Sequence, residues 1–299
     1  MRRAAALLAG VVACSCAVLL TGCWNGRALY SFERPFLSSL GDESRLHLSL
    51  VRAALSNGYL PRFDSDTVMD PVSALQRSAA AGGYAVVIVG PLLSFEWSRF
   101  VPNVPGTRFV LVDVPAPAGE APKNAVFLTF DRTEAFRAAG HAAGESVRAS
   151  AGPGTQASDL GARIGVLAAE RSGLGPAEAE AFALGVTGDL GGARPVSRTL
   201  AAAPDREAIR ASIGQMRGEG VAVFLLGLGE RDPIGLEALR DGGGLAVVSD
   251  WQASGAFPAQ VLASIEDDVT GGIARALAAA KSGVTRVPGP VRLVRGRKI

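Results

Sequence analysis

Very little in this chain can do covalent chemistry. Three cysteines and two histidines occur among 299 residues. Cys14 and Cys16 lie inside an apolar N-terminal run and Cys23 stands just behind it, so the body of the chain holds no thiol for a disulfide, a metal site or a nucleophile. His47 sits beside leucines and His141 in an alanine-rich segment; neither has a second ligand at metal spacing, and both read as packing residues. There is no Gly-x-Ser-x-Gly elbow and no triad that histidine spacing suggests. The expectation is a non-enzyme without a cofactor, with paired carboxylates as the one hydrolytic alternative. Aromatic residues make up only 6% of the chain, which leaves Ala, Val and Leu to build the core. Excess charge is also missing: of 30 basic residues Arg2 and Arg3 belong to the N-terminal run, and the remaining 28 meet 28 acidic ones. A balanced surface favours no polyanion, which excludes nucleic acid as the expected partner.

What is present begins with export. Arg2 and Arg3 precede an apolar run from Ala4 to Leu20, followed by Thr21, Gly22 and Cys23, the three-part layout of a secretory signal. Leu20-Thr-Gly-Cys23 resembles the bacterial lipobox, which implies cleavage after residue 22 and lipidation of Cys23. A plain transmembrane anchor is the rival reading, since about 17 apolar residues lie near the lower limit for a span. The expected product is an exported globular protein held to a membrane by lipid.

The remaining sequence alternates short apolar runs with amphipathic segments. Runs at 84–89, 108–112, 125–130, 163–168, 195–200, 221–226 and 245–248 read as strands, several of them continuously apolar as in parallel sheets covered on both faces. Between them lie helical patterns: Leu46, Leu50, Val51, Ala54 and Leu55 on one stripe, a start at Asp70-Pro71, and others opened near Thr133, Pro176, Pro204-Asp205 and Pro233. The segment 24–30 reads as a short tether, with a weak first strand over Arg27 to Phe32, and 150–161 as a Gly/Ser/Ala-rich surface loop. Alternation of this kind predicts an α/β fold with parallel sheets, and its restart after residue 160 predicts two similar lobes.

Several segments resemble, in order, the basic membrane protein family of solute-binding lipoproteins. They are Arg108-Phe-Val-Leu-Val-Asp113, Asn124-Ala-Val-Phe-Leu-Thr-Phe130, Glu134-Ala-Phe-Arg-Ala-Ala-Gly140-His-Ala-Ala143, Arg163-Ile-Gly-Val-Leu167, Phe182-Ala-Leu-Gly185, and the stretch Leu245–Gly283 with its Ser249-Asp-Trp-Gln252 elbow. The resemblance implies a type I periplasmic-binding-protein fold, two Rossmann-like lobes joined by three crossovers. Residues 23–131 plus 252–281 would form lobe 1, and 132–251 plus 282–299 lobe 2. It also implies a nucleoside or sugar-like ligand, held between the lobes and delivered to an ABC permease. The family's Asp-Asp-Lys-Ser-Phe-Asn motif is absent from the first loop. Ser249 and Trp251 replace paired acids, and Asp267 stands where a lysine is usual.

The expected ligand contacts follow from chemistry as much as from resemblance. A carboxylate accepts from vicinal hydroxyls and a ring face covers a base or sugar. Asp250, Trp251 and Gln252 form a polar and aromatic elbow where a strand hands over to a helix, the place open α/β sheets bind ligands. Phe36, Phe95 and Trp97 are loop aromatics, Asp113 and Asp131 end strands, and Glu230 follows another. Two further readings stand beside the transport receptor: a family member that has kept the fold as a sensor or interaction lipoprotein without transport, and an exported hydrolase.

Overall fold

Continuous apolar runs bury both faces of a strand, and that burial organises this protein. The computed structural model describes residues 24–33, 36–37, 43–64, 71–152, 155–170, 174–249 and 255–296. Cys23 and Asp250, Trp251 and Gln252 lie outside the described residues. The elements are β1 (Gly26–Ser31), α1 (Glu43–Ser56), β2 (Tyr59–Asp64), α2 (Pro71–Ala81), β3 (Tyr84–Val89), α3 (Pro91–Ser94), β4 (Arg108–Val112) and β5 (Ala125–Phe130), then α4 (Thr133–Ala149), α5 (Ala157–Gly161), β6 (Ile164–Ala169), α6 (Pro176–Asp189), β7 (Val196–Leu200) and α7 (Arg206–Gly218). After these come β8 (Val223–Gly227), α8 (Asp232–Gly242), β9 (Leu245–Val248), β10 (Val261–Asp267), α9 (Val269–Ser282), β11 (Arg286–Gly289) and β12 (Val291–Arg295).

These elements build two six-stranded sheets with one strand order. The first runs β11-β5-β4-β3-β1-β2 and the second β12-β10-β9-β8-β6-β7. Within each, the neighbours β2-β1-β3-β4-β5 and β7-β6-β8-β9-β10 pair in parallel, and β12 pairs antiparallel with β10. In both sheets the order reverses beside the first strand, between β1 and β3 and between β6 and β8. Such a switch point splays the connecting loops to opposite faces and leaves a crevice at the carboxyl ends.

Two compact units result. The first takes the chain up to Leu37, Glu43–Thr129 and Thr270–Val287, and the second takes Phe130–Val269 and Pro288–Ile299. Among the described residues the chain passes between them after Thr129, Val269 and Val287. The middle passage differs from the expectation that lobe 1 resumes at residue 252. Val261 and Ser264 lie in parallel register with Ala246 and Val248 of β9, so the pairing keeps β10 in the second sheet.

The core of the first unit includes Leu29, Val87, Val89, Phe109, Leu111 and Phe127, with Phe100 and Val101 beneath them. That of the second has two layers, Phe182, Val186, Leu225, Val247 and Ile265 on one face and Ile209, Ile213, Phe224, Leu226 and Leu236 on the other. Helices α4 and α6 meet at glycines: a β-carbon on Gly140 would stand 2.1 Å from the Phe182 carbonyl oxygen, and one on Gly185 2.1 Å from that of Arg137. The glycines of the two motifs noted in the sequence are therefore contact points that let the helix backbones touch.

The weak first strand expected over 27–32 is β1, with Leu29 and Tyr30 buried between β2 and β3. Two local expectations are corrected. Strand β2, Tyr59-Leu-Pro-Arg-Phe-Asp64, was hidden by Pro61 and is tolerated as an edge strand. The surface loop at 150–161 ends in the helical turn α5, whose Leu160 is buried in the second unit's core.

Candidate functional site

The switch point of the first sheet is built from the ends of β1 and β3. The Gly90 amide donates to the Ser31 carbonyl at 2.9 Å, tying the two carboxyl ends together. Pro91 then opens α3, its ring fitting the first helical position where no amide hydrogen is needed. Ser94, fully buried, donates from Oγ to the Val89 carbonyl at 3.0 Å and accepts from the Val112 amide at 3.1 Å. That hydroxyl pins the loop to both strands.

Into this junction projects Glu33, two residues past the end of β1. Its Oε1 accepts from the Leu93 amide at 2.6 Å, while Oε2 is buried and has no hydrogen-bond partner among the described residues. Burial pushes the carboxyl above the usual glutamate range, and the amides of Leu93 and of Glu33 itself pull it partly back. Gly90 makes room for it, because a β-carbon there would lie 2.0 Å from Oε2. On the same loop Leu92 and Phe95 are exposed, Phe95 to 65%. A half-desolvated acceptor beside a loop that carries an exposed aromatic ring is chemistry suited to hydroxyl or amine donors on a ring compound.

The expected site residues fall in different places. Phe95 is on this loop. Trp97 is half-buried and set edge-on against Phe127 at 5.5 Å, part of the core. Phe36 packs edge-on against Phe32 at 5.4 Å. Asp113 follows β4 with φ of 54°, a positive value no other described non-glycine residue shows, and its amide donates to the Leu128 carbonyl at 2.8 Å. Asp131 is exposed, and its Oδ1 accepts from the Thr133 amide at 3.0 Å at the start of α4. The Thr133 hydroxyl and amide together hold its carboxyl below the usual aspartate range. Glu230 is exposed in a single 3-10 turn after β8, and Glu170 is exposed after β6, so each stands at the second sheet's switch point.

Beside Glu230, the buried Asp232 accepts from the Leu228 amide at 2.8 Å and fixes that turn. Asp267, the acid standing where the resemblance leads one to expect lysine, is committed inside its own unit. Arg132 Nε donates to its two oxygens at 3.0 and 3.1 Å, and the guanidinium also lies 3.7 Å from Glu178 Oε1. Glu178 in turn accepts from the Gly175 amide at 2.7 Å. Its charge is thereby matched by a guanidinium. Among the described residues no three His, Cys, Asp or Glu side chains gather as a metal would require.

Glu33 is a functional candidate that the sequence analysis does not single out; its signal is an acid just past a strand, as at Asp113 and Asp131.

No protein-family model matches this sequence, and no curated protein sequence does. Solved structures do match in three dimensions. An ABC transporter system solute-binding protein from Aeropyrum pernix K1 aligns with TM-score 0.64 at 17% identity, over 90% of this chain and 76% of the other. The periplasmic ribose ABC transporter from Conexibacter woesei DSM 14684 aligns with TM-score 0.63 at 14% identity, over 92% and 93%. A transcriptional activator of the comK gene from Bacillus halodurans aligns with TM-score 0.67 at 17% identity, over 92% of each chain. This is the type I periplasmic-binding-protein fold. At such identities the likeness establishes the architecture and leaves the ligand to the site itself.

Proposed function

We propose that this protein is a receptor for a small hydroxylated ring compound, a sugar or a nucleoside, and passes it to an ABC permease. The observation that carries this reading is the Glu33 carboxylate, an acceptor at the switch point of the first sheet whose buried Oε2 has no partner among the described residues. A ligand hydroxyl or ring amine supplies the missing donor, and Phe95 offers an apolar face on the neighbouring loop. Binding of this kind breaks no bond in the ligand. Solute-binding proteins of ABC transporters share this fold, among them the periplasmic ribose ABC transporter of Conexibacter woesei. In this reading the lipobox-like Leu20-Thr-Gly-Cys23 supports a receptor held at a membrane surface through a lipid on Cys23.

Calorimetric titration of the protein with ribose, glucose, galactose, adenosine and inosine tests the reading. Binding of at least one compound in about the micromolar range is expected, with about tenfold or greater weakening in Glu33→Gln. Silence across both classes overturns it. The likeness to a transcriptional activator supports a second reading, a ligand sensor without transport. Uptake of the bound compound by cells with and without the gene separates the two.

A further inference from the structure

A cavity lies in the first unit whose lining residues include none of Glu33, Gly90, Leu93 or Phe95. It holds about 230 Å³ between the ends of β1 and β2 and the first half of α1. It is lined by Tyr30 of β1 and Phe32 just past its end, Phe63 and Asp64 of β2, and Leu46 and His47 of α1. Because side chains alternate along a strand, Tyr30 and Phe32 face α1 while Leu29 joins the core on the opposite face.

The walls are unusual for this aromatic-poor chain, since four of them are rings. Tyr30 and Phe63 stack at 4.7 Å with planes 9° apart, His47 lies 3.8 Å from Phe63, and Tyr30 meets Phe32 edge-on at 5.7 Å. The Tyr30 hydroxyl donates to the Leu50 carbonyl at 2.9 Å, which holds the ring in place. These surfaces are preorganised by one another. The lining is not that of a dry void either, because an imidazole, exposed to solvent at His47, and a carboxylate at Asp64 belong to it. In size the cavity exceeds the roughly 150 Å³ that accommodates benzene and falls below the roughly 300 Å³ of a drug-sized site.

We propose that this cavity binds a planar heteroaromatic compound of one or two fused rings that carries an N–H donor. The rings of Tyr30, Phe32, Phe63 and His47 supply stacked and edge contacts, and Asp64 and His47 supply acceptors for the donor. A carboxylate has lone pairs for several donors, so Asp64 can serve the ligand alongside other partners.

Benzimidazole is the probe, titrated into the full chain by calorimetry with saturation-transfer NMR, and cyclohexanol is the non-aromatic ring of comparable bulk. Benzimidazole is expected to bind with a Kd of about 1 mM or tighter, as a good fragment of its size does. Cyclohexanol should bind about fivefold or more weakly, and His47→Ala and Phe63→Leu should each weaken benzimidazole by a similar factor. His47 is exposed, so its variant tests the site even if Phe63→Leu lowers the melting temperature. Glu33→Gln should leave benzimidazole binding unchanged, which separates this cavity from the site of the proposed receptor function. Lack of binding up to about 10 mM, or binding that survives both ring variants, overturns the proposal.

Discussion

The Glu33 carboxylate lies across the bare Cα of Gly90, where a β-carbon would stand 2.0 Å from Oε2. The obstructing atom is the end of a flexible side chain, so Gly90→Ala should displace the carboxylate without unfolding the unit. The expected outcome is a melting temperature within a few degrees of the parent together with a loss of ligand affinity as large as that in Glu33→Gln. A protein that unfolds instead would show that Gly90 serves the fold first.

Glu33 also gives stability a pH dependence of known sign. Its carboxyl is raised in the folded chain, chiefly by burial, so folding takes up protons over the window between the ordinary glutamate value and the raised one. Stability is then highest below that window and falls as pH rises through it. Urea midpoints measured from about pH 4 to 7 should decline in the parent over this range, and Glu33→Gln should flatten that component.

Arg132 and Asp267 join the start of α4 to the end of β10, both groups being about four-fifths shielded from water. Asp267→Ala removes the carboxylate to which Arg132 Nε donates and should cost about 2 kcal/mol in urea unfolding. Asp267→Lys should cost more, because it faces one cation with another. A neutral Asp267→Lys would mean that the pair is worth no more than a surface ion pair.

Asp131 precedes the N-cap Arg132 of α4 and accepts from the amide of its first residue, Thr133. Donation from the Thr133 hydroxyl and amide lowers its carboxyl, so its contribution is present above the ordinary aspartate range and is lost as pH falls through the lowered value. Asp131→Ala should remove up to about 1 kcal/mol at neutral pH, read from the denaturant midpoint. If ligand affinity falls as well, Asp131 contacts ligand in addition to the Thr133 amide.

Gly185 in α6 meets the backbone of α4, where its β-carbon would lie 2.1 Å from the Arg137 carbonyl and 3.0 Å from the His141 amide nitrogen. Neither atom can move without its helix. Gly185→Ala should therefore separate the helices and cost about 2 kcal/mol or more, whereas Gly218→Ala, with nothing within 4 Å of its β-carbon, should be tolerated. Thermal melts of the two variants make the comparison.

Much of the architecture could be read before any coordinates. The runs 84–89, 108–112, 125–130 and 245–248 are strands with the expected bounds, because a strand buried on both faces must be apolar at every position. Helix starts were equally legible: Asp205 accepts from the Ala208 amide at 2.7 Å and Pro176 opens α6, both local effects of capping and ring geometry. Strand β2 was not legible, since Pro61 argues against a strand and only its edge position makes it acceptable. The place of β10 was also beyond the sequence, because pairing with β9 rather than with the first sheet is a choice between distant partners.

The same division separates the sites from the fold. Chain order and residue type determined the parallel α/β elements, the near absence of reactive groups and the balanced charge. Only the tertiary structure decided that Trp97 packs against the core, that Asp267 is matched by Arg132, and that Glu33 Oε2 is buried above Gly90 with no partner among the described residues. Burial and hydrogen-bond satisfaction depend on which distant residues arrive at the same place. Hydrophobic period and capping act within a few neighbours and can be read along the chain.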